Sequence, residues 1–121
     1  MIIKAADLLQ LGQYAIVFFT RGELFTHNQN GDGSTGNWKV NENKLSKLDK
    51  VIIYLRDDPA GINRVYMGDY EGWEQSPEPQ RKIIQFSKLK EMGKSTSNWV
   101  EFGGARGLAL FYLPKVVNNL G

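Results

Sequence analysis

Apolar runs and polar gaps alternate along this 121-residue chain at intervals too short for long helices. Residues Lys4 to Leu11 carry Ala5, Leu8, Leu9 and Leu11 at helical spacing and are followed by Gly12, which predicts a short amphipathic helix with those residues buried. Tyr14 to Phe19 is a continuous run of apolar, β-branched and aromatic residues, the pattern of a strand buried on both faces, and is expected to be the central strand. From Thr20 to Asn37 the chain turns polar, with no apolar residue between Asn28 and Gly36, and reads as a long loop of the kind that carries function. Asn41 or Asn43 can cap a helix running to Lys50, with Leu45 and Leu48 inward and Lys44 and Lys47 outward.

The second half alternates on a shorter period. Val51 to Leu55 reads as a strand, and Pro59 and Gly61 mark a turn after it. Arg64 to Tyr70 then places Val65, Met67 and Asp69 on one face and Tyr66, Gly68 and Tyr70 on the other, which predicts an antiparallel hairpin. Ser76 to Gln80 is a proline-containing loop, Lys82 to Phe86 a strand, and Ser87 caps a single helical turn from Lys88 to Met92 that Gly93 closes. Trp99 to Phe102 and Leu108 to Leu113 read as the last strands. Five or six short strands with two or three short helices predict an α+β domain, a small mixed or antiparallel β-barrel, spanning residues 1–121 as one unit.

Composition agrees with one folded domain: 41% hydrophobic and 12% aromatic content is enough for a single core. Cysteine is absent, which removes disulfides, thiolate metal sites and cysteine nucleophiles together and suits a reducing compartment. Lys4 and Asp7 interrupt the first apolar run, so neither a signal-peptide core nor a spanning segment is expected there, and the chain is read as cytoplasmic. A net charge of +2 permits a polyanionic partner without requiring one.

Enzyme chemistry finds little support. Gly93-Lys-Ser-Thr96 matches only the end of a phosphate-binding loop: Lys88 stands where the motif needs its first glycine. Asp32, Glu42 and Lys44 match a metal-dependent nuclease pattern loosely, with the acids in a loop and at a helix start instead of on adjacent strands. His27 is the single histidine, and no serine sits in a nucleophile elbow. No catalytic residue, metal or cofactor is expected. The aromatics say more: Trp38 lies between a glycine-rich stretch and Lys39, and Trp73 between Gly72 and Glu74, not in apolar runs. Aromatics beside cations suit stacking on a base with the cations on phosphates, although each indole could equally plug one end of a barrel.

The order of pieces in the middle of the chain carries a resemblance: Tyr14 to Thr20, Gly36-Asn-Trp38, Asn41-Glu-Asn-Lys-Leu45, Val51 to Arg56 and Val65-Tyr-Met-Gly-Asp-Tyr70. It resembles the YTH and EVE branches of the PUA-like superfamily. The resemblance implies a pseudo-barrel with a pocket for a flipped-out modified base, in which Trp38 is one wall of an aromatic cage and Trp73 its nearest second wall. It places edge-reading groups at Thr20 and Arg21, where Thr20-Arg-Gly-Glu23 replaces the family's lysine-serine-asparagine run. Tyr54 and Tyr66 complete the expected pocket, and Lys39, Lys44, Lys47, Arg56, Arg64 and Arg81 are the expected backbone contacts.

The function expected on this basis is a non-enzymatic nucleic-acid reader, of modified DNA before RNA. It would be the specificity module of a modification-dependent restriction system, beside a fused or partner nuclease or NTPase, with no membrane partner. Two other readings are a protein-interaction or immunity-type domain presenting Tyr66, Tyr70 and Trp73 as anchors, and a small metal-dependent nuclease.

Overall fold

The computed structural model describes residues 5–56, 62–95 and 110–113. Its frame is one seven-stranded sheet: β1 (Ala15–Thr20), β2 (Phe25–His27), β3 (Gly33–Trp38), β4 (Lys50–Leu55), β5 (Asn63–Gln75), β6 (Lys82–Ser95) and β7 (Leu110–Leu113), in the order β2-β3-β6-β5-β4-β1-β7. β1 and β4 are parallel, and every other neighbouring pair is antiparallel. A 3-10 turn at Ala5–Leu8 and a four-residue helix, α1 (Glu42–Leu45), are the helical elements among the described residues. The domain is therefore β-rich, with less helix than the α+β expectation.

β1 explains the architecture. All six of its residues are buried, as its unbroken apolar run requires, because both of its faces are covered. Ile16 and Phe18 join Val51, Ile53, Tyr66, Ile84 and Phe86 in an inner cluster, while Ala15, Val17 and Phe19 join Ile52, Tyr54, Val65 and Leu113 in an outer one. Each fully buried apolar side chain contributes about 1.5–3 kcal/mol. β1 is interior but off centre, between β4 and β7, and β5 is the middle strand.

The sheet curls strongly about the inner cluster. Phe25 of β2 packs edge-on to Tyr66 of β5 at 5.9 Å, and Trp38 of β3 stacks on Phe18 of β1 at 4.6 Å. It does not close into a barrel: β2 and β7 are its two edges and do not pair. The segment after β3 packs on the inner cluster and against β7. Leu45 and Leu48 face the inner cluster as expected, the Lys44 ammonium lies 4.7 Å from the Tyr112 ring centre, and Asn41 forms a backbone hydrogen bond with the Tyr112 hydroxyl.

Several local expectations are corrected. Leu11 is fully exposed and the predicted N-terminal helix shrinks to a single turn that ends at Leu8, ahead of the expected stop at Gly12 (φ +86°), while Leu8 and Leu9 pack on the outer cluster. The predicted loop from Thr20 to Asn37 contains the β2–β3 hairpin, whose turn is held by Asn28: its Oδ1 accepts from the amides of Asn30 and Asp32 at 2.8 and 3.1 Å. Asn41 is the helix cap, accepting from the Asn43 amide at 2.8 Å, but α1 ends at Leu45, well short of Lys50. The helix predicted over Lys88–Met92 is the second half of β6, which pairs with β5 through bulges and needs φ +54° at Lys88. Pairing with a long neighbour overrides a weak one-turn propensity. The β4–β5 hairpin and the alternation from Val65 to Tyr70 are as predicted. The predicted turn at Pro59 and Gly61 and the strand at Trp99 to Phe102 lie outside the described residues, and of Leu108 to Leu113 the last four form β7.

Candidate functional site

Where β1 ends, the chain turns sharply and opens a cleft. The Thr20 hydroxyl accepts from the Gly22 amide at 3.1 Å, and the Gly22 carbonyl accepts from the Phe25 amide at 3.3 Å, so Arg21 to Leu24 bend away from the sheet. Leu24 adopts φ +55° and its carbonyl accepts from the Gly36 amide at 3.2 Å, which ties this bend to β3. Thr20, Arg21, Glu23 and Leu24 form one wall, Asn37 and Trp38 the other, and Glu78 the end of a cleft of about 580 Å³. That volume lies within the roughly 300–1,000 Å³ of small-molecule sites.

Trp38 is half-buried and held at two points. Its ring stacks on Phe18 at an interplanar angle of 30°, and its Nε1 donates to Thr35 Oγ1 at 3.0 Å. The indole nitrogen is thus satisfied within the protein, and the ring offers the cleft an apolar surface. Beside it, Asn37 Nδ2 donates to Glu78 Oε2 at 3.1 Å, Arg81 donates to the Asn37 carbonyl at 3.2 Å, and Arg81 Nε lies 3.8 Å from Glu78. Arg21, Glu23 and Glu78 line the cleft and Arg81 is engaged with Glu78, so charge around the cleft is balanced among the described residues.

Of the expected pocket residues, the structure brings Trp38, Thr20 and Arg21 together and leaves the others apart. Tyr54 is fully buried in the outer cluster against Phe19 at 4.7 Å, and Tyr66 is buried in the inner cluster against Phe25. Trp73 lies on β5 away from the cleft, 37% exposed, with the Lys82 ammonium 4.3 Å from its ring centre. Tyr54, Tyr66 and Trp73 therefore do not join Trp38 in an aromatic cage. Among the expected backbone contacts, Lys39, Lys44 and Lys47 are exposed on the segment that follows Trp38, and Arg81 stands at the cleft. Arg56 is half-buried and donates to Asn63 Oδ1 at 3.1 Å, and Arg64 lies 3.9 Å from Glu91 and 5.8 Å from the Tyr66 ring centre.

Sequence reasoning missed Asn37, Glu78 and Lys82. Asn37 and Glu78 carried no signal, being polar residues of apparent loops. Lys82 had one: it is the cation that opens an apolar strand. Its side chain is 9% exposed and ion-paired with Glu42 of α1 at 3.1 Å, so the helix is tied to the sheet through it.

The remaining motifs do not form sites. Gly93, Lys94 and Ser95 lie in register with Val65, Arg64 and Asn63, extended in a strand and not curled around a phosphate. Among the described residues no three histidine, aspartate or glutamate side chains could share a metal ion, and the Glu42 carboxylate is engaged by Lys82. His27 is exposed at the end of β2, its ring 5.2 Å from that of Phe25. Tyr66 is too buried to act as a surface anchor, which leaves Trp73 as the exposed ring of the expected interaction patch. No helix among the described residues is long and apolar enough to cross a membrane. Comparison of the chain with protein-family models, curated proteins and solved structures gives no match.

Proposed function

We propose that the cleft beside Trp38 receives a nucleobase extruded from a nucleic-acid strand, and that the chain is a non-enzymatic reader of a modified base. Modified DNA is the favoured target, with cleavage supplied by a separate catalytic unit of a restriction system. The observation that carries this reading is a half-buried indole, fixed on Phe18 and Thr35, lining a cleft of base-accommodating size next to Thr20 and Arg21. Flipping costs a few kcal/mol, and stacking of a base on an aromatic ring returns about 1–3 kcal/mol. The difference comes from edge recognition. The Thr20 hydroxyl accepts from Gly22 and keeps its own proton to donate, Asn37 Oδ1 is an acceptor, and Arg21 carries a planar set of donors.

Because charge at the cleft is balanced, phosphate attraction falls to Lys39, Lys44 and Lys47, and affinity decreases with salt. The test is fluorescence anisotropy with labelled oligonucleotides carrying N6-methyladenine, 5-methylcytosine or no modification. Selective binding by the wild type, reduced by Arg21→Ala and by Thr20→Val in protein that remains folded by circular dichroism, is the expected result. Equal affinity for every oligonucleotide, or selectivity untouched by both substitutions, overturns the assignment. Binding of a protein partner that is lost in Trp73→Ala and indifferent to nucleic acid would favour the interaction-domain reading instead.

A further inference from the structure

A second cleft, of about 490 Å³, lies on the outer face of β4, β5 and β6 and is lined by Lys50, Met67, Asp69, Lys88, Lys90 and Met92. It is remote from Trp38. β1 and β4 run in parallel register from Ala15 opposite Lys50 to Thr20 opposite Leu55, so Lys50 marks one end of this pair and the Trp38 cleft opens at the other.

Two features of the second cleft define its ligand. Lys50 and Asp69 are direct cross-strand partners with their charged groups 2.6 Å apart, and Lys88 approaches the other Asp69 oxygen at 4.0 Å. Lys90 sits on β6 opposite Met67 and has no acidic partner among the described residues. Among the described residues three ammonium groups against one carboxylate leave an excess of two positive charges, which matches a phosphate monoester, about −1.5 to −2 near neutral pH, better than a diester or a carboxylate. The other feature is apolar: Met67 and the 38% exposed Met92 supply polarisable thioethers, which make favourable contacts with aromatic rings.

We infer that this cleft binds a phosphate monoester carried on an aromatic body, that is, a nucleotide bearing a terminal phosphate, either free or at the 5′ end of a strand. Lys90 and Lys88 hold the phosphate, Asp69 keeps Lys50 and Lys88 turned toward it, and the methionines pack against the base. The site stands independently of base reading at Trp38.

The chain has three methionines, so 13C-methyl labelling gives three signals, two of them from this cleft. Titration with adenosine 5′-monophosphate should move the Met67 and Met92 methyl signals to saturation. Adenosine alone and inorganic phosphate alone should bind at least about tenfold more weakly, since each lacks one half of the recognition. Lys90→Glu should weaken the nucleotide by about tenfold or more, whereas Lys94→Glu, an exposed charge reversal farther along β6, and Arg21→Ala, at the other cleft, should change it by less than about twofold. Binding of a 5′-phosphorylated oligonucleotide but not its 5′-hydroxyl form identifies a strand end as the source, and binding of the mononucleotide alone identifies the free nucleotide. Static Met67 and Met92 signals, equal binding of inorganic phosphate, or equal loss in Lys94→Glu and Lys90→Glu overturns the proposal.

Discussion

The indole of Trp38 and the ring of Phe18 are 4.6 Å apart, although three strands separate β3 from β1 in the sheet. Four strand spacings of about 4.8 Å would set them roughly 19 Å apart in a flat sheet, so this contact measures how tightly the sheet curls. Trp38 is consequently a structural wedge as well as a cleft wall. Trp38→Ala removes a half-buried ring and should lower stability in urea unfolding by about 2–3 kcal/mol, below the 3–5 kcal/mol of a fully buried tryptophan. Trp38→Phe keeps a ring on Phe18 but loses the hydrogen bond to Thr35, and should cost about 1–2 kcal/mol. A loss under about 0.5 kcal/mol for Trp38→Ala, as at an ordinary surface site, would contradict the packing.

The β2–β3 hairpin depends on the lack of a side chain at Gly33. A Cβ there would stand 2.0 Å from the Thr26 carbonyl oxygen and 2.7 Å from the His27 Cα, both backbone atoms that cannot swing aside. Gly33→Ala should therefore destabilise the protein by at least about 2 kcal/mol and loosen the hairpin that carries Trp38. Gly12 is the control: its φ of +86° strains any side chain, but nothing lies within 4 Å of its Cβ position, so Gly12→Ala should cost only about 1 kcal/mol. Urea unfolding of both variants checks the order, and amide exchange of residues 25–38 reports whether the hairpin opens first.

That hairpin also marks the limit of what the residue pattern discloses. β1, β4 and the first part of β5 were legible because each buries a regular set of apolar side chains, and their positions follow directly from period and run length. β3 buries Thr35 and packs through glycine backbone, so it offers no apolar alternation to read. The second half of β6 has one inward apolar residue, Leu89, among lysines and a glutamate, and its strand character comes from β5 beside it. At the cleft, the segment ends at Thr20 and Trp38 were legible as breaks in pattern. Asn37 and Glu78 meet only because the loop before β6 folds back on β3, a long-range contact with no local signature.

Lys82 links three elements, and its partners should prove unequal. Its ammonium is 3.1 Å from Glu42, whose side chain is 62% exposed, and 4.3 Å from the centre of the Trp73 ring. Water screens the ion pair from the Glu42 side, so Glu42→Gln should cost at most about 1 kcal/mol. Lys82→Ala loses the packing of a buried stem as well as the cation–π contact, and should cost about 1–3 kcal/mol. In a double-mutant cycle, coupling of Lys82 to Glu42 is expected below about 1 kcal/mol. A coupling of several kcal/mol would show instead that α1 is held to the sheet chiefly by charge.

At high pH the fold should weaken through two tyrosines. Burial raises the pKa of Tyr70 above its ordinary value of 10.0, and burial likewise raises that of Tyr112, against a smaller lowering by the backbone hydrogen bond with Asn41. In both cases the folded chain holds the phenol proton more tightly than the unfolded chain does. Their contribution to stability is therefore complete below pH 10 and is lost as pH climbs from 10.0 toward the folded-state values, since ionisation there favours the unfolded chain. Urea midpoints measured between about pH 9 and pH 11 should fall for the wild type. Tyr70→Phe and Tyr112→Phe should each flatten that slope, and the double variant should flatten it most. Tyr112 faces Lys44 with its ring and Asn41 with its hydroxyl, so Tyr112→Phe should also lower stability at neutral pH by about 0.5–1.5 kcal/mol for the lost hydrogen bond. An alkaline slope unchanged in the double variant would show that these two phenols do not set it.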